Sequence, residues 1–130
     1  MPYTIQRDAA APILVVTQEP GSDAIRELEQ GIADITQALD VQAEPVFLIL
    51  SVEGVRLPIS MINRAAELGA RGSHSVLHHH NLRETVVVST SRLVRTAMQV
   101  LTGPSFGEVR LAFADSPEQA LDYCRAALAR

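Results

Sequence analysis

The sequence contains one cysteine and no long hydrophobic run, and each absence narrows the class of protein. Cys124 has no second cysteine with which to form an internal disulfide, as is typical of a reducing compartment. The longest apolar stretch, residues 46–50, is far too short to span a bilayer. The opening MPYTIQRD lacks the charged and apolar regions of a signal peptide. We therefore expect a cytoplasmic protein without a membrane span.

The sequence also lacks any cluster of basic residues. Its formal net charge is −4, and its eleven Lys and Arg residues are scattered between Arg7 and Arg130 without a basic stripe or interleaved aromatic residues. Affinity for nucleic acids comes mainly from the release of counterions at clustered cations. We therefore expect no binding to DNA or RNA.

Common enzyme motifs are missing as well. The sequence has no G-x-G-x-x-G, G-x-x-x-x-G-K-[ST] or G-x-S-x-G pattern, and no pair of carboxylates stands out for acid–base chemistry. Cys124 lies between Leu121 and Leu128 on the apolar stripe of a predicted helix, which favours packing over a role as nucleophile. We predict no catalytic residue and no cofactor, and an enzyme of unknown reaction is the least favoured alternative.

Strand and helix patterns alternate along the chain. Residues 3–7 alternate apolar and polar side chains, and residues 12–17 are apolar and β-branched, which predicts an opening antiparallel hairpin. Three more strands are predicted, each preceded by a helix, at residues 46–50, 85–89 and 108–114, the last as a half-covered edge strand. The order ββαβαβαβα predicts one α/β domain over residues 1–130. Its central sheet is mostly parallel, with an N-terminal antiparallel hairpin and helices packed on it.

Two of the predicted helices have clear starting signals. Thr90 or Ser91 can cap a helix whose apolar residues continue through Leu101. Ser116 can cap the last helix, in which Pro117 takes the first position.

The opening hairpin, the four helices and the run ETVVVSTSRLVR at residues 84–95 resemble the STAS-type domains of the sporulation anti-anti-sigma-like family. The resemblance covers nearly the whole chain and implies a non-catalytic module for regulation or protein interaction. In that family the loop after the third strand often carries a phosphorylatable serine in an Asp-Ser-Ser-Gly context. That motif is absent here, and Ser60 is the nearest match by position. Ser60 is therefore a phosphorylation candidate, with a plain first-turn helix residue as the alternative.

The second and third helices carry more apolar residues than contact with a sheet requires. A second apolar stripe must meet another helix or another protein. We predict an interaction surface, and mutual packing of the two helices is an equal alternative. A homodimer is the first expectation, since most soluble oligomers are symmetric, and another protein partner is the other. The residues of the predicted surface are Ile59, Met61, Ile62 and Met98.

Hydroxyl groups and guanidinium groups gather near the carboxyl ends of two predicted strands. Such groups, together with the free amides of a helix start, can hold an anion. The alternative function is therefore binding of a small anionic ligand, such as a phosphate, a nucleotide or a lipid head group, at the carboxyl edge of the sheet. Helix capping and surface arginines are the simpler interpretation. The candidate residues are Ser51, Ser89, Thr90, Ser91, Arg92 and Arg95.

All four histidines lie between residues 73 and 81, in SHSVLHHHN. His74 and His78 are spaced to share one helix face and form a weak metal candidate, but no Cys, Asp or Glu within the stretch completes a site. The stretch leads into the amino end of a strand, whereas open α/β sheets bind ligands at the carboxyl ends. We therefore predict no metal site and favour a solvated helix end or a partner contact over a pH-sensitive contact.

Overall fold

The computed structural model describes residues 3–19, 24–53, 55, 59–70 and 76–130. They form a five-stranded sheet in the order β1-β2-β3-β4-β5. The first two strands are antiparallel and every other neighbouring pair is parallel, which confirms the predicted α/β class with its N-terminal hairpin. The strands are β1 Tyr3–Arg7, β2 Ile13–Gln18, β3 Val46–Ser51, β4 Leu82–Val88 and β5 Leu111–Ala114.

Four α-helices follow the strands in the predicted order. The side chain of Ser91 accepts a hydrogen bond from the backbone N–H of Val94 at 3.3 Å, and that of Ser116 accepts one from Gln119 at 3.1 Å. Both residues thus cap the helices that they were predicted to cap. The helices are α1 Ala24–Asp40, α2 Ile59–Ala70, α3 Arg92–Gln99 and α4 Pro117–Leu128, and single 3-10 turns cover Val76–His78, Val100–Thr102 and Pro104–Phe106.

Side chains of the central strands alternate between two buried faces of the sheet, because successive residues of a strand point to opposite sides. One face packs against α4, with Cys124 fully buried among strand residues such as Phe47 and Val86. The other face packs against α1 through Leu39, which contacts a cluster that includes Leu14 and Leu48. Helices α2 and α3 cover the same face as α1. Three helices therefore lie on one face of the sheet and one helix, α4, lies on the other.

The segment before β5 differs from the expectation of a strand beginning at residue 108. Gly107 has φ 74° and Glu108 has φ 57°, so the chain turns there in the left-handed region instead of extending. The N–H of Val109 donates to the carbonyl of Leu101 at 2.9 Å, outside the sheet. Since residues 100–102 form a 3-10 turn, α3 also ends earlier than the apolar pattern predicted. Leu101 and Val109 therefore bond to each other at this turn and not to a neighbouring strand.

Candidate functional site

A cavity of about 500 Å³ lies between the sheet and helices α1, α2 and α3. On the sheet side it is lined by Val16, Leu48, Leu50 and Val87, all apolar. Protein interiors are normally packed as densely as organic crystals, with few voids larger than a water molecule. The cavity is partly open to solvent and much larger than such voids, so it can admit a molecule larger than water.

Small residues on α2 explain why the space exists. Ala65, Ala66 and Gly69 of α2 all line the cavity. A Cβ atom added at Gly69 would lie 3.6 Å from the side chain of Val76, in ordinary contact. Leucine-sized side chains at these positions would reduce the cavity volume. The small side chains of α2 therefore leave room for the cavity.

Several polar side chains line the cavity, among them Asn63 and Glu67 on α2 and two residues at the carboxyl edge of the sheet. Gln18 and Ser51 end the adjacent parallel strands β2 and β3, and both line the cavity. Ser51 is only 6% exposed, and its hydroxyl forms no hydrogen bond with any other residue that the structure describes. The cavity thus has mostly apolar walls, with the Ser51 hydroxyl at the carboxyl edge of the sheet.

Two of the residues predicted to form an interaction surface line this same cavity. Ile62 is 7% exposed, and Met98 is half-buried and also packs against the cluster of Ala70, Leu101 and Val109. At these two positions the additional apolar stripe contacts the interior of this chain. The side chains of Ile59 and Met61 lie outside the described part, and the interaction surface stays a prediction.

The predicted anion-binding residues have partners within the chain. The guanidinium of Arg95 donates from Nε to the Ser89 carbonyl at 2.8 Å and from Nη2 to the Asp115 carboxylate at 2.5 Å. Ser91 caps α3, and its N–H donates to the Ser89 hydroxyl at 3.1 Å. Arg92 is exposed at the first position of α3.

Glu53 supplies a second internal carboxylate at this edge. It accepts a hydrogen bond from the backbone N–H of Thr90 at 2.9 Å and another from the Thr90 hydroxyl at 2.8 Å. An external anion would therefore compete with Glu53 and Asp115 for these donors. The sequence pattern located the donors but not the carboxylates, which come from distant segments, and the anion site stays a prediction.

The histidines contact the body of the domain in different ways. Nε2 of His78 lies 2.6 Å from the Phe106 carbonyl. Asn81 N–H donates to Nδ1 of His79 at 3.0 Å, so Nε2 carries the proton that His79 donates to Asp40 at 2.6 Å. The imidazoles of His79 and His80 stack with their centroids 4.6 Å apart.

His74, half of the weak metal candidate, lies outside the described residues. Within the described ranges, no three His, Cys, Asp or Glu side chains are grouped so that they could hold a metal ion. His78 and His79 instead bond to a backbone carbonyl and to a carboxylate of the chain, as stated above.

Two further candidates from the sequence have different surroundings. Ser60, the phosphorylation candidate, is the second residue of α2 and is exposed. Its phosphorylation stays a prediction. Cys124 is fully buried, and burial raises the pKa of its thiol to about 11. A thiol that stays protonated at neutral pH is a poor nucleophile.

Comparison with known proteins places this geometry in a fold family. No protein-family model matches the sequence, and no curated protein matches it either. A solved structure from Shewanella loihica PV-4, described as an uncharacterized protein of the DUF3478 family with a SpoIIAA-like fold, is similar over 94% of this chain and 91% of its own, with a TM-score of 0.59 and 16% identity.

This chain has a SpoIIAA-like fold. That fold is of the STAS type, so the resemblance inferred from the sequence is confirmed for the fold. In this SpoIIAA-like domain, no helix among the described residues combines the length and the apolar character needed to cross a membrane.

Proposed function

We propose that this SpoIIAA-like domain is a non-catalytic regulatory module that responds to an apolar small molecule bound between its sheet and helices α1–α3. The observation that carries the proposal is the cavity of about 500 Å³ with apolar walls. Ligand pockets occupy roughly 300–1,000 Å³ and combine apolar walls with a few polar groups, so the cavity has a suitable size. The fold supports a STAS-type module.

The polar groups at the carboxyl edge of the sheet favour a ligand that carries a hydrogen-bonding group. Ser51 and Gln18 stand at the carboxyl end of β3 and β2, while Leu48 and Val16 line the wall further along the same strands. A polar head group would bond to the Ser51 hydroxyl, and an apolar body would displace water from the remaining walls. The ligand class is therefore a largely apolar molecule that carries a polar group.

Binding in this place would change the surface of the module. The cavity is lined by α2 through Ile62 and by α3 through Met98, and α2 also contacts α3 directly. A ligand between the helices and the sheet would favour one separation of α2 and α3 from the strands. Since a ligand shifts a conformational equilibrium by its differential affinity, occupancy would be reported to a partner that contacts these helices.

The test is binding of N-phenyl-1-naphthylamine, a neutral apolar fluorophore. We expect saturable binding to the native protein and a loss of affinity in Ala66→Leu and in Ala97→Leu, which both reduce the cavity. The matched control Ala33→Leu, on the exposed face of α1, should bind as the native protein does. Thermal unfolding would verify that each variant is folded. Absence of saturable binding, or equal binding in all variants, would refute the proposal that the cavity binds an apolar ligand.

Self-association through α3 is a second candidate. Leu93 in α3 and Val100 in the 3-10 turn that follows it are 53% and 58% exposed. Large exposed apolar side chains favour a partner, and a second copy is the simplest. Sedimentation equilibrium should give a dimer mass that Leu93→Glu reduces to that of a monomer. Val41→Glu, at a residue 75% exposed elsewhere, should leave the dimer intact. A monomer mass for the native protein at all concentrations would refute this candidate.

A further inference from the structure

Three arginines line one cleft at the amino edge of the sheet. The cleft has a volume of about 340 Å³ and lies beside the final turns of α4. Arg83 lies near the start of β4, Arg110 immediately precedes β5, and Arg130 follows α4. All three are exposed. The cleft is on the sheet face opposite the apolar cavity and at the opposite edge from Ser51, so it is a separate feature.

Among the residues that the structure describes, no ion pair is formed by the three arginines of this cleft, Arg83, Arg110 and Arg130. The protein has a net charge of −4, yet three arginines and one glutamate, Glu84, line this cleft, so its local charge is positive. Three other arginines of the described part are paired, namely Arg64 with Glu29, Arg95 with Asp115 and Arg125 with Asp8.

The walls of the cleft hold some of these groups in place. The guanidinium of Arg83 lies 5.0 Å from the centre of the Phe47 ring, which is 1% exposed and therefore rigidly packed. Glu84, the acidic residue in the cleft, accepts a hydrogen bond from the Tyr123 hydroxyl at 2.7 Å. This bond raises the pKa of Tyr123 to about 12, so the hydroxyl remains a donor to Glu84. The Glu84 carboxylate is thus bonded to a neighbouring hydroxyl.

We propose that this cleft binds a small phosphorylated organic molecule. Its phosphoryl oxygens accept hydrogen bonds from the guanidinium groups of Arg83 and Arg110, and its organic part lies against Tyr123. A guanidinium offers forked donors that match phosphate, and a phosphoryl group has three free oxygens that several guanidinium groups can approach, whereas a carboxylate has two. The volume of the cleft is larger than that of a single inorganic ion and lies within the range of ligand sites.

The test is calorimetric titration with phenyl phosphate and pyrophosphate at low salt, with citrate as a comparator of similar charge. The variant is Arg83→Gln/Arg110→Gln. The matched control is Arg64→Gln/Arg125→Gln, which removes the same charge from exposed positions outside the cleft. We expect the native protein and the control to bind phenyl phosphate equally. The cleft variant should lose about tenfold or more in affinity, because charged hydrogen bonds are removed.

Three results would overturn the proposal. Equal weakening in both double variants would show a general effect of net charge. Citrate binding as tight as that of the phosphates would remove the preference for phosphoryl groups. Absence of saturable phosphate binding to the native protein would remove the site itself. Circular dichroism and thermal unfolding of both variants would establish that they are folded. None of these results bears on the apolar cavity.

Discussion

Glu53 and Thr90 are joined by two hydrogen bonds at the carboxyl edge of the sheet. The Glu53 carboxylate accepts from the backbone N–H of Thr90 at 2.9 Å and from its hydroxyl at 2.8 Å. Glu53 follows β3 by two residues, and Thr90 lies between β4 and α3. The pair therefore connects the segment next to the cavity residue Ser51 with the start of α3.

The first prediction concerns Glu53→Gln. Losing the charged acceptor should lower the free energy of unfolding by about 1 kcal/mol, since the bonds are charge-assisted but exposed to solvent. It should also free the Thr90 amide for an external anion, so phosphate should shift the Thr90 amide NMR signal in the variant more than in the native protein. Glu44→Gln, on another exposed glutamate, is the control. An unchanged response of Thr90 to phosphate would contradict the competition.

The second prediction concerns the buried hydroxyl of Thr85. This residue is fully buried, and its Oγ1 has no hydrogen-bond partner among the described residues. Thr85→Val keeps the shape and removes an unsatisfied polar group, so stability in urea unfolding should rise by about 1 kcal/mol. The control is Thr36→Val, because the Thr36 hydroxyl donates to the Ile32 carbonyl at 2.8 Å and should bring no gain. A loss of stability in Thr85→Val would indicate that the hydroxyl has a partner.

The third prediction concerns the left-handed turn at Gly107. Its φ is 74°, and an added Cβ would lie 2.7 Å from Cε1 of His78. Gly107→Ala should therefore cost more than about 1 kcal/mol of stability. Gly31→Ala, inside α1 with 3.8 Å to the Tyr3 ring, should instead be stabilising because alanine favours helix. Combining Gly107→Ala with His78→Ala should recover part of the loss, and no recovery would place the strain in the backbone alone.

The fourth prediction concerns acid unfolding and Asp8. Its carboxylate accepts hydrogen bonds from Ala10 at 2.8 Å and Ala11 at 3.1 Å and lies 3.6 Å from Arg125. These hydrogen bonds, chiefly that from Ala10, and the charge of Arg125 lower the pKa of Asp8 below its ordinary value of 3.8.

A lowered pKa in the folded state means that this stabilisation is complete above the ordinary value and is lost as pH falls through the lowered one. Asp8→Asn keeps an acceptor for the two amides but removes the titration. Its stability, measured in urea between about pH 5 and pH 2, should therefore decrease less steeply than that of the native protein. Identical slopes would show that Asp8 does not contribute to acid unfolding.

Local features of the fold were predicted closely from the sequence. The strand at residues 3–7 has the predicted bounds, and β3 extends the prediction by one residue. The caps at Ser91 and Ser116 were also identified. Periodicity and capping depend on residues a few positions apart, so these features can be read without knowing the tertiary arrangement. The start of β5 was missed because its preceding segment bonds to Leu101 and Gly103 instead of a strand.

The candidate sites depended on distance in the folded chain. Sequence alone determined the α/β order, the donors near Thr90 and the apolar excess of α2 and α3. Only the tertiary structure decided that part of this excess lines a cavity, that Glu53 occupies the donors of Thr90, and that Arg83, Arg110 and Arg130 share one cleft. The physical reason is that periodicity determines which side of an element is apolar, whereas cavities and charge clusters arise where residues from separate elements meet.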